Sequence, residues 1–335
     1  MKCRAHLRPV NLSSRFLVPS PYNPCIYLIL PPLRRIHGVF NYFGERKDIK
    51  NVCRVNALVR VGAIQMKMAG ESVRAREANL STAVRLMKHA VGQDAEIICL
   101  PELFVGAATV EPIPGPTTVV LQDFAKDHAV FVIGNLYETK EGKKYSSAPL
   151  IAPSGVIQTI YRKIQLFPWE PGFSKCSEGD TLGVVDTKFG TLGLTICHDL
   201  MLPEIPRLLV LQGAEIIFTP GRMPGPFLTP WRDFVRVRAI ENNCFMVSVG
   251  SAEQHAVGTL IVAPKLKNEV LAEAGPEEQV LVVDLDLEWL RASRTDSPMY
   301  HVKTTREIKE VLSNLDSHSF LQDRRADLYH LELLK

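Results

Sequence analysis

Acidic side chains are missing from the first 44 residues of this 335-residue chain, although Lys2, Arg4, Arg8, Arg15, Arg34 and Arg35 all fall there. An acid-poor, Arg-bearing start fits an organelle transit peptide. Its prolines and modest serine content argue against an amphipathic helix, so a non-native or mis-started extension is an equal alternative. Residues 1–58 are therefore set apart, and the folded domain is expected over 59–330. Long apolar runs are also missing. The run Cys25–Leu30 ends at Pro31 and Pro32, far short of the ~20 residues that span a bilayer, so no membrane role is expected. A large charge excess is absent as well: 39 Lys and Arg against 36 Asp and Glu leave +3. That is no footprint for nucleic acid. The seven cysteines include no CxxC pair and no His/Cys cluster, so no zinc site and no metal is expected. Mostly free thiols point to the cytoplasm, or to a mitochondrion or plastid if the extension is a transit peptide. Cys99 and Cys244, in apolar runs, read as small core hydrophobes.

What remains is an ordinary folded composition, 46% hydrophobic and 22% charged. Regular pattern begins at VRVGAIQM (59–66), a strand. Ala78, Leu80, Ala83, Val84, Met87 and Ala90 then recur at helical spacing. EIICLPE (96–102) reads as a buried strand, 119–129 as a helix and 130–138 as a strand. Segments 147–153 and 156–163 read as a hairpin about Ser154-Gly155. Two strands about Lys188–Gly190 fill 182–199. A helix follows over 203–212, with Gly213 at its C′ position. Strands at 214–220, 244–252, 258–264 and 280–287 and a helix at 234–243 complete the series. Hairpins mixed with strand–helix alternation predict a layered α/β protein with a mixed sheet covered on both sides.

Four polar residues stand where apolar segments stop: Glu102, Lys163 and Cys197 at strand ends, and Glu170 in the loop FPWEPGF. Ligand sites in α/β sheets gather outside strand ends. A thiol attacks a carbonyl once a base removes its proton, and a buried carboxylate can be that base. A lysine could hold the resulting oxyanion. Singly, each residue has a plainer reading: a Glu as a cap, an Arg-Lys pair as a solvated edge, a Cys as core.

LPE (100–102), YRK (161–163) and ICHD (196–199) stand in the order of the nitrilase superfamily, the carbon–nitrogen hydrolases, which this chain resembles. VGAIQM (61–66), 203–220, RAIEN (238–242) and DRRADLY (323–329) extend the likeness. The resemblance implies an αββα four-layer sandwich with two mixed sheets flanked by helices. It implies a catalytic set of Glu102 as base, Lys163 on the oxyanion and Cys197 as nucleophile, with Glu170 orienting Lys163 or substrate. His198 would supply its backbone N–H to the oxyanion, and Trp169 would line the pocket. No cofactor is implied. Glu204 and Arg207 would brace the nucleophile turn, Asp199 would bond nearby backbone, and Pro226, Phe227 and Trp231 could border the pocket. Arg222 and Arg232 are candidate partners for a substrate carboxylate. Cys197-His198-Asp199 resembles the Cys-x-Asp of amidase and carbamoylase branches and lacks the Trp-Glu of nitrile hydrolases. The expected reaction is therefore hydrolysis of a small linear amide or N-carbamoyl compound through an acyl-thioester. Nitrile hydrolysis, or a catalytically silent assembly module, is the alternative. A homodimer is implied as well.

Overall fold

The computed structural model describes residues 58–222, 228–252, 258–295, 298–301 and 303–318. The proposed extension up to residue 57, Pro226, Phe227 and DRRADLY lie outside the described residues. Two mixed sheets organise the chain. The first runs β14 (Gln279–Asp286), β1 (Leu58–Gln65), β2 (Ile97–Cys99), β4 (Phe131–Ile133), β6 (Lys143–Ile151), β5 (Leu136–Lys140) and β3 (Val110–Glu111), with β7 (Ile157–Arg162) also on β6. The second runs β13 (Val270–Glu273), β12 (Leu260–Val262), β11 (Phe245–Val249), β10 (Ile216–Pro220), β9 (Thr191–Leu194) and β8 (Gly183–Asp186). Each has a parallel centre, β1-β2-β4 in one and β9-β10-β11 in the other, flanked by antiparallel pairings, with β3 added parallel to β5 at the edge of the first.

The side-chain period of two explains the layers. In the first sheet Val59, Val61, Ala63, Ile97, Cys99, Phe131 and Ile133 share a core with Leu192, Leu194, Ile216 and Phe218 of the second. Phe131 meets Phe189, on the β8–β9 turn, edge-on at 5.9 Å between centroids. The alternate residues, Ile64, Ile98, Leu100 and Val132, face outward and are covered by α1 (Arg76–Val91) and α2 (Pro116–His128). On the far side, α3 (Glu204–Leu211) and α4 (Leu228–Asn242) contribute Leu209, Val235 and Ala239 to the core. Helix, sheet, sheet, helix is the expected four-layer order. Two further helices, α5 (Leu287–Thr295) and α6 (Thr305–Asn314), follow β14. Among the described residues no helix is long and apolar enough to cross a membrane, and no group of His, Cys, Asp or Glu could hold a metal ion.

Three of the differences from the sequence pattern lie at β4–β5, in α1 and at the start of α4. The expected strand 130–138 is two strands, broken at Gly134-Asn135. A Cβ on Gly134 would stand 2.9 Å from Leu121 of α2, so the chain passes the helix closely there. Asn135 turns its amide inward, donating to Ser147 O at 3.2 Å. In α1, Ala78 is exposed and Asn79 is buried in its place. Asn79 accepts from Ala69 N at 2.7 Å and donates to Gly70 O at 2.9 Å, which outweighs the apolar pattern. The third difference is α4, which starts at Leu228 rather than at 234. Gly213 does follow α3 with φ +105°, as its C′ reading requires.

Candidate active site

The strands end before the residues of interest, and the backbone then turns sharply. β2 stops at Cys99 and Glu102 lies three residues on; Leu103 has φ +51°. Its N–H donates to Asn135 Oδ1 at 2.9 Å, so the break between β4 and β5 anchors the Glu102 loop. Lys163 is the residue after β7, and its N–H donates to Ser146 O at 2.9 Å. β9 stops at Leu194, Thr195 N continues toward Phe218 O at 3.0 Å, and Cys197 opens a 3-10 turn with φ +49°. A non-glycine residue in that region is uncommon, and such outliers gather at functional sites. Here two of them flank one cavity.

That cavity is about 140 Å³ and is lined by Glu102, Leu103, Tyr137, Lys163, Phe167, Trp169, Glu170, Ser174, Cys197 and Arg222. Glu102, Lys163, Glu170 and Cys197 are all buried. Lys163 Nζ stands 3.3 Å from Glu102 Oε1 and 2.9 Å from Glu170 Oε2. Glu170 is held in turn by the Phe167 N–H, while its own N–H donates to Phe167 O at 2.8 Å. Burial works against the ammonium of Lys163, but the carboxylates of Glu102 and Glu170 outweigh it and hold its pKa well above the ordinary value. Burial pushes the Cys197 thiol well above its usual range, and Glu102 adds to this; Lys163 and the Arg222 N–H oppose it. The resting site thus carries a charged lysine beside a neutral thiol. Such a thiol needs a base during attack, because it is not a preformed thiolate.

The remaining expected residues separate clearly. Trp169 lines the cavity but is half exposed, with its ring against Phe167 at 3.9 Å. The His198 ring bonds Leu166 O through Nδ1 at 3.1 Å and packs on Phe167. Asp199 does bond nearby backbone: it accepts from Ile196 N and Gln165 N. Arg222 lines the cavity, ion-paired with Glu71. Arg232 does not line it and pairs with Glu273 at 2.6 Å. Trp231 is core: its Nε1 donates to Ser248 Oγ at 2.9 Å. The 3-10 turn that opens at Cys197 is braced by Arg238, which donates to Leu200 O and Met201 O, both at 3.1 Å. Glu204 is exposed, and Arg207 donates to Glu241 O. Tyr137 and Ser174 line the cavity with no motif around them that could have marked them.

The layered sandwich and its buried acid, lysine and thiol cluster define a hydrolase of the nitrilase-superfamily class. The chain belongs to the carbon-nitrogen hydrolase family, which residues 60–295 match, and within the superfamily it falls in the amidase-like branch. Its enzyme class is therefore hydrolysis of carbon–nitrogen bonds other than peptide bonds. It is 31% identical over 245 residues to the omega-amidase NIT2 of Xenopus tropicalis, covering 66% of this chain and 87% of that one. It is 29% identical over 300 residues to omega-amidase NIT2 of Homo sapiens, covering 82% and 98%. An amidase from Nesterenkonia sp. shares the fold with a TM-score of 0.65 at 21% identity, over 84% of this chain and 98% of that one. Nit3 of Saccharomyces cerevisiae, a nitrilase-superfamily member, superposes with a TM-score of 0.64 at 23% identity, over 75% and 97%.

Proposed function

We propose that the chain hydrolyses a small linear amide through a thioester on Cys197. The observation that carries this reading is the meeting of the buried side chains of Cys197, Glu102 and Lys163 at one small cavity. Glu102 removes the thiol proton as sulfur attacks the carbonyl carbon. The carbonyl oxygen gains the electron pair, between Lys163 Nζ and the His198 N–H. Losing one such donor costs about 10²–10³ in rate. As the tetrahedral centre collapses, the carbon–nitrogen bond breaks and Glu102 returns the proton to the departing ammonia or amine. Glu102 then deprotonates water, which attacks the thioester; the acid leaves and the Cys197 thiol is restored. Glu170 keeps Lys163 pointed at the oxyanion. Trp169 and Tyr137 form the cavity's apolar wall.

The small cavity favours a short acyl group. The curated relatives named omega-amidase support an amide over a nitrile. We also infer a homodimer, and a reducing compartment in keeping with the free buried thiols Cys99, Cys176, Cys197 and Cys244. Ammonia release from a panel of linear amides, N-carbamoyl compounds and nitriles tests the reaction. Cys197→Ala should abolish turnover with an unchanged circular-dichroism spectrum. Activity equal to that of the parent enzyme would overturn the thioester route, and nitrile-only turnover would overturn the substrate class. Gel filtration at the mass of one chain would contradict the dimer.

A further inference from the structure

Asp199 stands between the two chain segments that deliver Lys163 and Cys197. It is fully buried and is not among the residues lining the cavity. Its carboxylate accepts three hydrogen bonds: from Tyr161 OH to Oδ2 at 2.7 Å, from Ile196 N to Oδ2 at 2.9 Å, and from Gln165 N to Oδ1 at 2.7 Å. The places of these donors in the chain are informative. Tyr161 and Gln165 lie two residues before and two after Lys163, and Ile196 immediately precedes Cys197. The Tyr161 and Gln165 donors belong to the first sheet's β7 and the loop after it, whereas Ile196 follows β9 of the second.

Capping the 3-10 turn that starts at Cys197 would need only the bond from Ile196 N. The other two cross to the other sheet and grip the lysine segment on both sides. We propose that Asp199 is a positioning residue that fixes Lys163 relative to the reacting atoms at Cys197, acting through Tyr161, Gln165 and Ile196. This rests on the roles given above to Lys163 and Cys197. Oxygen Oδ1 holds the chain beyond Lys163. Oxygen Oδ2 joins the strand before Lys163 to the residue before the nucleophile.

The ionised carboxylate suits this task because all three partners are donors. Protonation weakens both oxygens as acceptors, and a proton on Oδ2, which already accepts two bonds, would displace one of them. Burial pushes the Asp199 pKa up to about 6, while the bonds from Tyr161, Gln165 and Ile196 and the charge of Lys163 hold it down. Tyr161 and Lys163 are the titratable groups facing it from β7 and its end. Cys197 and His198 are its neighbours on its own turn.

Asp199→Asn is the direct test, since the amide keeps the shape but turns an NH₂ toward one donor or the other. Misplacement by about 1 Å costs roughly 10²-fold in rate. The expected result is thus a kcat lower by about that factor, with KM changed by less than about threefold. The ratio of parent kcat to variant kcat should shrink as pH falls from 8 to 5, because the parent then carries a neutral group too. Tyr161→Phe removes a single bond and should lower kcat in the same direction by a smaller factor. It carries the test if the Asn variant does not fold. A folded Asp199→Asn enzyme with the parent's kcat would overturn the proposal. So would a kcat loss matched by an equal rise in KM, or a ratio constant with pH. If Cys197→Ala is inactive while Asp199→Asn is fully active, this inference alone fails. If Cys197→Ala remains active, the thioester reading fails first.

Discussion

Lys163 shows how little room a single residue has in this site. Its ammonium is buried between two buried carboxylates, so its charge stabilises theirs as much as theirs stabilise its own. Lys163→Met should remove the proposed oxyanion donor and leave Glu102 and Glu170 without their shared cation. Breaking a buried ion pair from one side costs about 3–5 kcal/mol. Urea unfolding at pH 7 should show that loss, together with no measurable ammonia release. A stable, active Met variant would contradict both the electrostatics and the oxyanion role. At this scale the sequence was informative where motifs exist. Glu102, Lys163, Glu170 and Cys197 could be picked out by resemblance, and the structure brings all four to one cavity. Tyr137 and Ser174 could not, because a tyrosine in a strand and a serine in a loop carry no mark of what they face. The Tyr161 hydroxyl on Asp199 was equally hidden: an i to i+38 contact has no local signature.

Elements aim these residues through their ends rather than their middles. Sequence pattern extended the strands to Glu102 and Cys197, because apolar residues run that far. The hydrogen-bond ladders stop sooner, and the residues between turn into left-handed backbone at Leu103 and Cys197. Periodicity reports burial, and a buried turn is as apolar as a buried strand. The same limit hid the break in 130–138, where Gly134 lets the chain pass α2 and Asn135 reaches the Glu102 loop. The turn at Cys197 depends on another element, α4, through Arg238 and the carbonyls of Leu200 and Met201. Arg238→Met keeps the stem but takes this donor from the buried Leu200 O and the part-buried Met201 O. Each such group costs about 1–3 kcal/mol. The urea midpoint should fall accordingly with an unchanged m-value. Loosening of the turn should also speed alkylation of Cys197 by iodoacetamide, because burial is what keeps that thiol neutral and covered. A midpoint equal to that of the parent would show that the turn holds itself.

Across the whole molecule, the site exists only because two sheets stack. Glu102 and Lys163 follow strands of one sheet, and Cys197 follows a strand of the other. In the proposed mechanism, the inter-sheet distance is therefore part of the catalytic geometry. Strands apolar on both faces implied a sheet covered on both sides, but they could not say which strand pairs with which, because pairing is set by contacts distant in sequence. The distinction between the two cores can be tested. Phe218 lies in the core shared by the sheets, and Leu86 of α1 lies in the core outside the first sheet. Truncating either to Ala should destabilise the fold by a similar amount, about 3–5 kcal/mol for Phe and 2–5 for Leu. Their effects on catalysis should differ. Phe218→Ala removes a spacer between the strand ends and should lower kcat per folded molecule by tenfold or more, since small misplacements are costly in rate. Leu86→Ala loosens a helix against the outer face and should leave kcat per folded molecule near the parent value. Active-site titration normalised to the folded fraction separates the two. Equal kcat in both variants would mean that the sheets hold their spacing without Phe218, and that the strand-end turns alone set the site.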